Sequence, residues 1–402
     1  MKTTGDQQLV RRINRSVLLR LLYRQSGLSR AQLALESGLT KSTVSLLVRE
    51  LIDEGWLREA DPSSAQGLGR PSTPLKIDGV RRGMVGVEVA VEALRVVAVS
   101  LTGVVLFEVE APLADKRPEA VCRQAAPLVA QAHADFTRRG MQLTGIGVGL
   151  PGAFDEATGM LRFAPNLGWR AVNFSPLLMQ ALGQAGVPEV PLHVQNEADT
   201  AALSEYEFAK GGDQDSLIFV TCGVGVGAGI VLNDRLFTGT QGMAGEIGHS
   251  ILQIDGPLCS CGRRGCAETF FGAQALDSLP DPDLGGRYLG MVLQNLWTTF
   301  NPSVLVVGGP SCERYPNMLA VARDTLRSYA RSCGMAPPSV RTARYGLMAS
   351  AVGAAALVLH HDLRPMHAPL SALENLASDD NMRKASTSTS TSTSTSTSTS
   401  LD

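Results

Sequence analysis

The chain has 402 residues, 44% of them hydrophobic, and a formal net charge of −2; this length exceeds one ordinary domain and implies two or three. The charge is divided unevenly, with 14 Lys/Arg against 8 Asp/Glu in residues 1–82 and 22 against 30 beyond them, a basic head on an acidic body that suits nucleic-acid binding at one end. The N-terminus is polar and then basic, without the apolar core of a secretory signal, and no uninterrupted apolar run reaches the ~18–20 residues of a bilayer span, so a cytoplasmic protein with no membrane partner is expected.

Helical periodicity runs from Asn14 to Glu54. "NRSVLLRLLYRQ" spaces Val17, Leu18, Leu21 and Leu22 along one face. "SGLSRAQLALESGLTKSTVSLLVRELIDEGWL" predicts two further helices. Ser29 caps the first and Gly38 ends it; Thr40 caps the second, whose apolar face is Val44, Leu47, Val48, Leu51 and Ile52. Helix, short Gly-containing turn, helix is the helix-turn-helix outline. "WLREADPSSAQGLGRPSTPLKI" then predicts a strand, a Gly/Pro/Ser loop and a second strand, which together make a wing.

From Gly83 the texture changes. "GMVGVEVAVEALRVVAVSLTGVVLFEVEAPL" is β-branched, with hairpin breaks at Glu92–Ala93 and Thr102–Gly103. "VCRQAAPLVAQAHADFTRRG" is helical, and "LTGIGVGLPGAFD" is a buried strand leading into a Gly-Pro loop. "VPLHVQNEADTAALSEYEFAKGG" is a strand, a polar junction and a helix; "SLIFVTCGVGVGAGIVLNDRLFTG" is two strands around a Gly-rich turn; "NPSVLVVGGP" is another buried strand. Strand–helix alternation of this kind is an α/β body. "ASAVGAAALVLHHDL" predicts the closing helix. Ser386 to Ser400 alternate Ser and Thr, a segment with no apolar face that is expected to be disordered.

Four features carry chemistry. In the last helix of the head, Lys41, Ser42, Thr43 and Ser45 lie on the N-terminal, solvent-facing side, with Arg49 a turn further on; such positions meet bases and phosphates when a helix enters the major groove. Arg70, on the wing loop, suits a minor-groove or phosphate contact. The Gly-rich "CGVGVGAG" can cradle phosphate through its backbone N–H groups, and a plain tight hairpin reads the same way. His249, Cys259, Cys261 and Cys266 make a Cys₃His set, closed and therefore structural, whose soft donors point to zinc, with Arg263 and Arg264 to offset its charge. In a reducing compartment clustered cysteines read as ligands rather than disulfides. Cys122, Cys222, Cys312 and Cys333 are scattered and read as buried small hydrophobes. Asn166, Asn196, Glu197, Glu246, His249 and Glu268 flank these points; carboxylates and amides around one cleft suit a sugar's hydroxyls, and caps or surface groups would have the same spacing.

With these pieces in hand, "GLPGAFDEATGMLRFAPNLGW", "GVGVGAGIVLNDRLFTGTQGMAGEIGH" and "CSCGRRGCAE" closely resemble, in order and spacing, the motifs of the ROK family (repressors, open reading frames and sugar kinases). The resemblance runs from Met1 to about Leu363 and is nearest to the xylose-repressor-like regulators. It implies a winged helix-turn-helix over residues 1–82, linker included, and a sugar-binding body over 83–370 with an actin-like (ribonuclease H-like) α/β fold. The two lobes would be roughly 83–195 plus a helix near 350–363, and 196–349; residues 371–402 form the tail. The same resemblance places sugar contacts on Asn166, Asn196, Glu197, Glu246, His249 and Glu268.

The chain departs from the family's kinases where they handle phosphate. Their Asp-x-Gly-Gly-Thr motif is matched here by Glu88 and then Ala90, Val91 and Glu92, which would crowd and repel phosphate. Their Gly-Thr-Gly is Gly223, Val224, Gly225, and their catalytic aspartate is Glu197, one methylene longer. The expectation is therefore a non-enzymatic, sugar-responsive repressor, homodimeric on operator DNA, with structural zinc. The alternatives are an ATP-dependent sugar kinase with a DNA-binding head and a regulator that answers to a protein partner.

Overall fold

The computed structural model describes residues 7–61, 73–208 and 216–365; Arg70 and the Ser/Thr tail lie outside them. The head opens with α1 (Gln7–Arg24), α2 (Arg30–Ser37) and α3 (Lys41–Asp53), followed by β1 (Leu57–Glu59) and β2 (Leu75–Ile77), which pair antiparallel. Its caps are those expected. Ser29 and Gln32 form a capping box, Gly38 ends α2 in the left-handed region at φ 70°, and the Thr40 hydroxyl accepts from the Thr43 N–H.

The body contains two five-stranded sheets with one repeated plan. In the first, β3 (Arg82–Val89), β4 (Ala93–Ser100) and β5 (Val105–Pro112) form an antiparallel meander. After α4 (Pro118–Arg138), β6 (Gln142–Leu150) joins β3 in parallel. A small sheet of β7 (Ala153–Asp155), β8 (Met160–Ala164) and β9 (Trp169–Val172) follows, then α5 (Phe174–Gln184), and β10 (Leu192–Asn196) joins β6 in parallel. The long α6 (Glu197–Glu207) leads to the second sheet.

There β11 (Ser216–Cys222), β12 (Val226–Leu232) and β13 (Arg235–Leu236) make the meander. A long excursion through α7 (Glu268–Phe271), α8 (Ala273–Ser278) and α9 (Pro282–Phe300) returns to β14 (Val304–Gly308), parallel to β11. Beyond α10 (Pro310–Arg314) and α11 (Met318–Ser332), β15 (Ser339–Thr342) pairs parallel with β14, and α12 (Ala349–Leu363) closes the fold. The orders β5-β4-β3-β6-β10 and β13-β12-β11-β14-β15 are the same pattern twice.

Burial explains the layering. The first sheet packs one face on α4 and α5 around Phe136 and Phe174, and the second packs one face on α9 and α11 around Phe271 and Leu293. Between the sheets lie α12 and α6, the most extensive helix contact in the fold. Their backbones nearly touch: a Cβ on Gly353 would sit 1.6 Å from the Thr200 carbonyl oxygen. The stretch Gly346–Leu363, α12 with the turn before it, meets the length and apolarity of a membrane span, yet 72% of it is buried inside the protein, as a core helix is.

Head and body share one apolar core, in which Leu18, Val44 and Leu51 pack in the same cluster as Val97, Leu203 and Val352. Tyr23 Oη donates to the Leu101 carbonyl at 2.8 Å, Arg81 donates to the Ile52 carbonyl at 2.7 Å, and Arg20 is ion-paired with Asp234. Two cysteines depart from expectation. Cys333 is exposed and Cys312 half-buried, because Cys333 lies just past the last turn of α11, where the buried face ends and the chain turns away at Gly334.

Candidate functional site

Several head cations are held by carboxylates, and those on α3 are not. Arg11, Arg15 and Arg30 are engaged by Glu50, Glu54 and Glu59, so much of the head's positive charge is neutralised internally. Among the described residues, neither Lys41 nor Arg49 forms an ion pair. Both are exposed on α3, together with Ser42 and Ser45. Thr43 is half-buried, and its hydroxyl lies 2.8 Å from that of Thr40, so it serves the cap more than an open face. Leu46, 54% exposed on the same face, was not anticipated; an apolar side chain there can meet a thymine methyl.

The second site lies between the sheets. Asn166, Asn196, Glu197, Glu246, His249 and Glu268, drawn from four separate segments, all line one cavity of about 70 Å³. Asn166 stands on the tight turn Pro165–Leu167 between β8 and β9. Asn196 caps α6: its Oδ1 accepts from the N–H groups of Ala198 and Asp199, and its Nδ2 donates to the Gly152 carbonyl at 2.8 Å. That locks its side chain and leaves little of it for a ligand. Glu268 Oε2 accepts from the Val226 N–H at 3.2 Å, tying the start of α7 to the Gly223–Gly225 turn.

Glu197 is the first residue of α6. Burial, and then the Glu88 and Glu246 carboxylates, push its acid up to about 8, which favours the protonated, hydrogen-bond-donating form at neutral pH. Burial also raises Glu246. The cavity thus offers both donors and acceptors, as an uncharged polyol requires.

A wider cavity of about 300 Å³ adjoins it and shares Asn166, Glu197 and Gly225. The Gly-rich segment Gly223–Gly225, the turn of the β11–β12 hairpin, is in its wall. Glu88 is buried there and paired with Arg95 at 3.2 Å, directly across the β3–β4 ladder, while Arg95 also donates to Glu110 at 2.6 Å.

Beside the inner cavity, His249, Cys259, Cys261 and Cys266 bring one donor atom each to within 4.8 Å of one another. Cys259 Sγ lies 3.6 Å from His249 Nδ1, and the Cys261 and Cys266 sulfurs are 3.7 Å apart. Tetrahedral bonds of about 2.3 Å to sulfur and about 2.0 Å to nitrogen separate S···N by about 3.6 Å and S···S by about 3.8 Å. The arrangement therefore fits a tetrahedral metal ion. Since Nδ1 faces the sulfurs, Nε2 is the ring nitrogen left for the cavity.

The loop can close this tightly because Gly265 has φ 72° and a Cβ there would stand 1.6 Å from the Gln253 carbonyl oxygen. Arg263 Nε donates to Cys261 Sγ at 3.4 Å, in keeping with its expected role. Arg264 instead reaches the Gly256 carbonyl.

A profile of the ROK family matches residues 84–280, and one of winged helix-turn-helix DNA-binding domains matches residues 11–58. Over 276 residues the chain is 30% identical to a xylose repressor of Caldicellulosiruptor bescii, covering 68% of this chain and 67% of that protein. The chain belongs to the ROK family. As a ROK protein it is also 28% identical over 384 residues to the xylose repressor of Bacillus subtilis, covering 89% of this chain and 98% of the relative. Among solved structures, a ROK family transcriptional regulator, a homolog of the E. coli MLC protein, matches with a TM-score of 0.72 at 22% identity, over 89% of this chain and 98% of that one. The fold is thus a winged helix-turn-helix joined to the two-sheet, actin-like body of the ROK family.

Proposed function

We propose that this chain is a cytoplasmic, sugar-responsive transcriptional repressor that binds operator DNA through α3 as a homodimer. The observation that carries the reading is the convergence of six polar side chains on one cavity in a chain whose head is a winged helix-turn-helix. Xylose repressors spanning nearly the whole chain support it. In this reading residues 1–82 are the DNA-binding unit and linker, and 83–370 the sensor. The sensor's lobes are roughly 83–195 with the helix near 350–363, and 196–349. Lys41, Ser42, Ser45 and Arg49 face the DNA, Thr43 supports them through the α3 cap, and Arg70, outside the described residues, is proposed as a further contact.

The sugar sits among Asn166, Asn196, Glu197, Glu246, His249 and Glu268. Asn196 acts mainly by fixing the start of α6, and protonated Glu197 donates to a sugar hydroxyl. The metal is zinc, held by His249, Cys259, Cys261 and Cys266; it supplies a rigid cross-link and orients His249. Phosphoryl transfer is not part of this function. Glu88 is held by Arg95, and Glu92 adds a second carboxylate to the wall that a phosphate would face.

Sugar shifts the balance between two dispositions of the heads only as far as it binds one better than the other. α6 offers the route, since it begins at Glu197 and ends at Glu207, which pairs with Arg364 at 2.7 Å; Arg364 pairs with Asp234 at 2.7 Å, and Asp234 with Arg20 of the head. The test is a gel shift on the chain's own promoter region combined with a thermal-shift screen of aldoses and N-acetylhexosamines. A sugar that raises the melting temperature and alters DNA binding is expected. ADP release with any of these sugars at a tenth of a typical kinase's ~10 s⁻¹ would refute the reading.

A further inference from the structure

The inner cavity, about 70 Å³, is small for a ligand site, whereas the adjoining one holds about 300 Å³; small-molecule sites usually enclose ~300–1,000 Å³. The two share Asn166, Glu197 and Gly225, so a molecule seated in the inner cavity can extend into the outer without leaving the protein. We propose that the effector is a disaccharide, with one ring among the six polar side chains of the inner cavity and the second in the outer cavity. This rests on the reading of the inner cavity as a sugar site.

The outer cavity is ill suited to a nucleotide. Arg95 is already shared by Glu88 and Glu110, and Arg314 is paired with Asp277 at 3.0 Å, so neither lining cation is without a carboxylate. Glu92 adds a further acid to the wall, and Ala90 and Val91 place side chains beside it. A polyphosphate would meet repulsion and no unpaired cation.

A second pyranose ring, by contrast, is uncharged and amphipathic. Ser311, 2% exposed in this wall, has an Oγ with no hydrogen-bond partner. A buried hydroxyl in that state costs free energy, and turning its Oγ from the wall toward a ligand hydroxyl in the cavity would relieve it. Pro310, Val91 and Leu347 offer apolar surface to the C–H face of a ring.

Isothermal titration of the full-length, zinc-loaded protein tests this, with D-xylose, D-glucose and N-acetylglucosamine, their β-1,4-linked disaccharides, and Mg·AMP-PNP as probes. At least one disaccharide is expected to bind ten-fold or more tightly than its own monosaccharide, with no heat from the nucleotide. Ala90→Phe, which fills the outer cavity alone, should abolish that gain and leave monosaccharide affinity within two-fold. The milder Ser311→Ala should weaken the disaccharide several-fold and spare the monosaccharide, which keeps the test open if the phenylalanine variant does not fold. Monosaccharides that bind as tightly as every disaccharide, or nucleotide binding that competes with the disaccharide, would overturn the two-ring proposal and leave the sugar reading standing. Silence from every sugar would overturn the sugar reading itself, and this proposal with it.

Discussion

Glu197→Gln isolates the acid at the head of α6. Glutamine keeps the shape and a donor but cannot ionise. In the native protein burial, Glu88 and Glu246 hold Glu197's acid near 8, against an ordinary value near 4.5. Between those limits the native state keeps a proton that the unfolded chain has lost. This group's stabilising contribution is therefore complete below about pH 4.5 and disappears as pH rises through about 8. Each pH unit is worth about 1.4 kcal/mol, so the roughly 3.5-unit interval corresponds to about 5 kcal/mol at most. Urea unfolding followed by tryptophan fluorescence, at fixed zinc from pH 5 to 8.5, reads it. The variant should match the parent near pH 5 and exceed it by several kcal/mol at pH 8.5. Parallel stability curves across that range would show that Glu197 is ionised in the native state, and the argument for a neutral donor would fail.

Three other substitutions probe the remaining parts. Cys261→Ser should lower zinc content, measured by elemental analysis, and lower the melting temperature, since structural zinc contributes folding free energy; full occupancy with unchanged melting would contradict the assignment. Lys41→Ala should weaken operator binding and reduce the slope of log affinity against log salt by about one, whereas an unaltered slope in titrations at several salt concentrations removes Lys41 from the interface. Glu268→Ala should abolish the sugar-dependent change in a gel shift yet preserve sugar-free DNA binding, and a normal response would remove Glu268 from the sensing site.

Local signals made the head legible. Ser29, Gly38 and Thr40 mark its helix ends, and the apolar face of α3 has regular spacing. The Cys/His set was legible because three of its donors lie within eight positions. The sugar cavity was different. Its residues come from positions 166, 196–197, 246–249 and 268, and only tertiary structure brings them together, so spacing alone could not separate them from caps; the family resemblance supplied that reading. The small β7–β9 sheet went unread because strands of three to five residues carry too little alternation. The Glu88–Arg95 pair had a faint signal, since both residues flank the anticipated break at Glu92–Ala93 and face each other across it. Arg20 and Asp234 are 214 positions apart, and nothing local links them.

The near-contact of Gly353 with Thr200 has a mechanical consequence. Ordinarily a layer of side chains cushions two packed helices and can absorb a shift by changing rotamers. At this crossing the backbone of α12 lies against that of α6 with no such padding. Sliding one helix along the other would drive a carbonyl oxygen into the next side chain, which disfavours translation at the crossing. At that point a displacement of α6 meets the α12 backbone directly, with no intervening side chain whose rotamer could take it up.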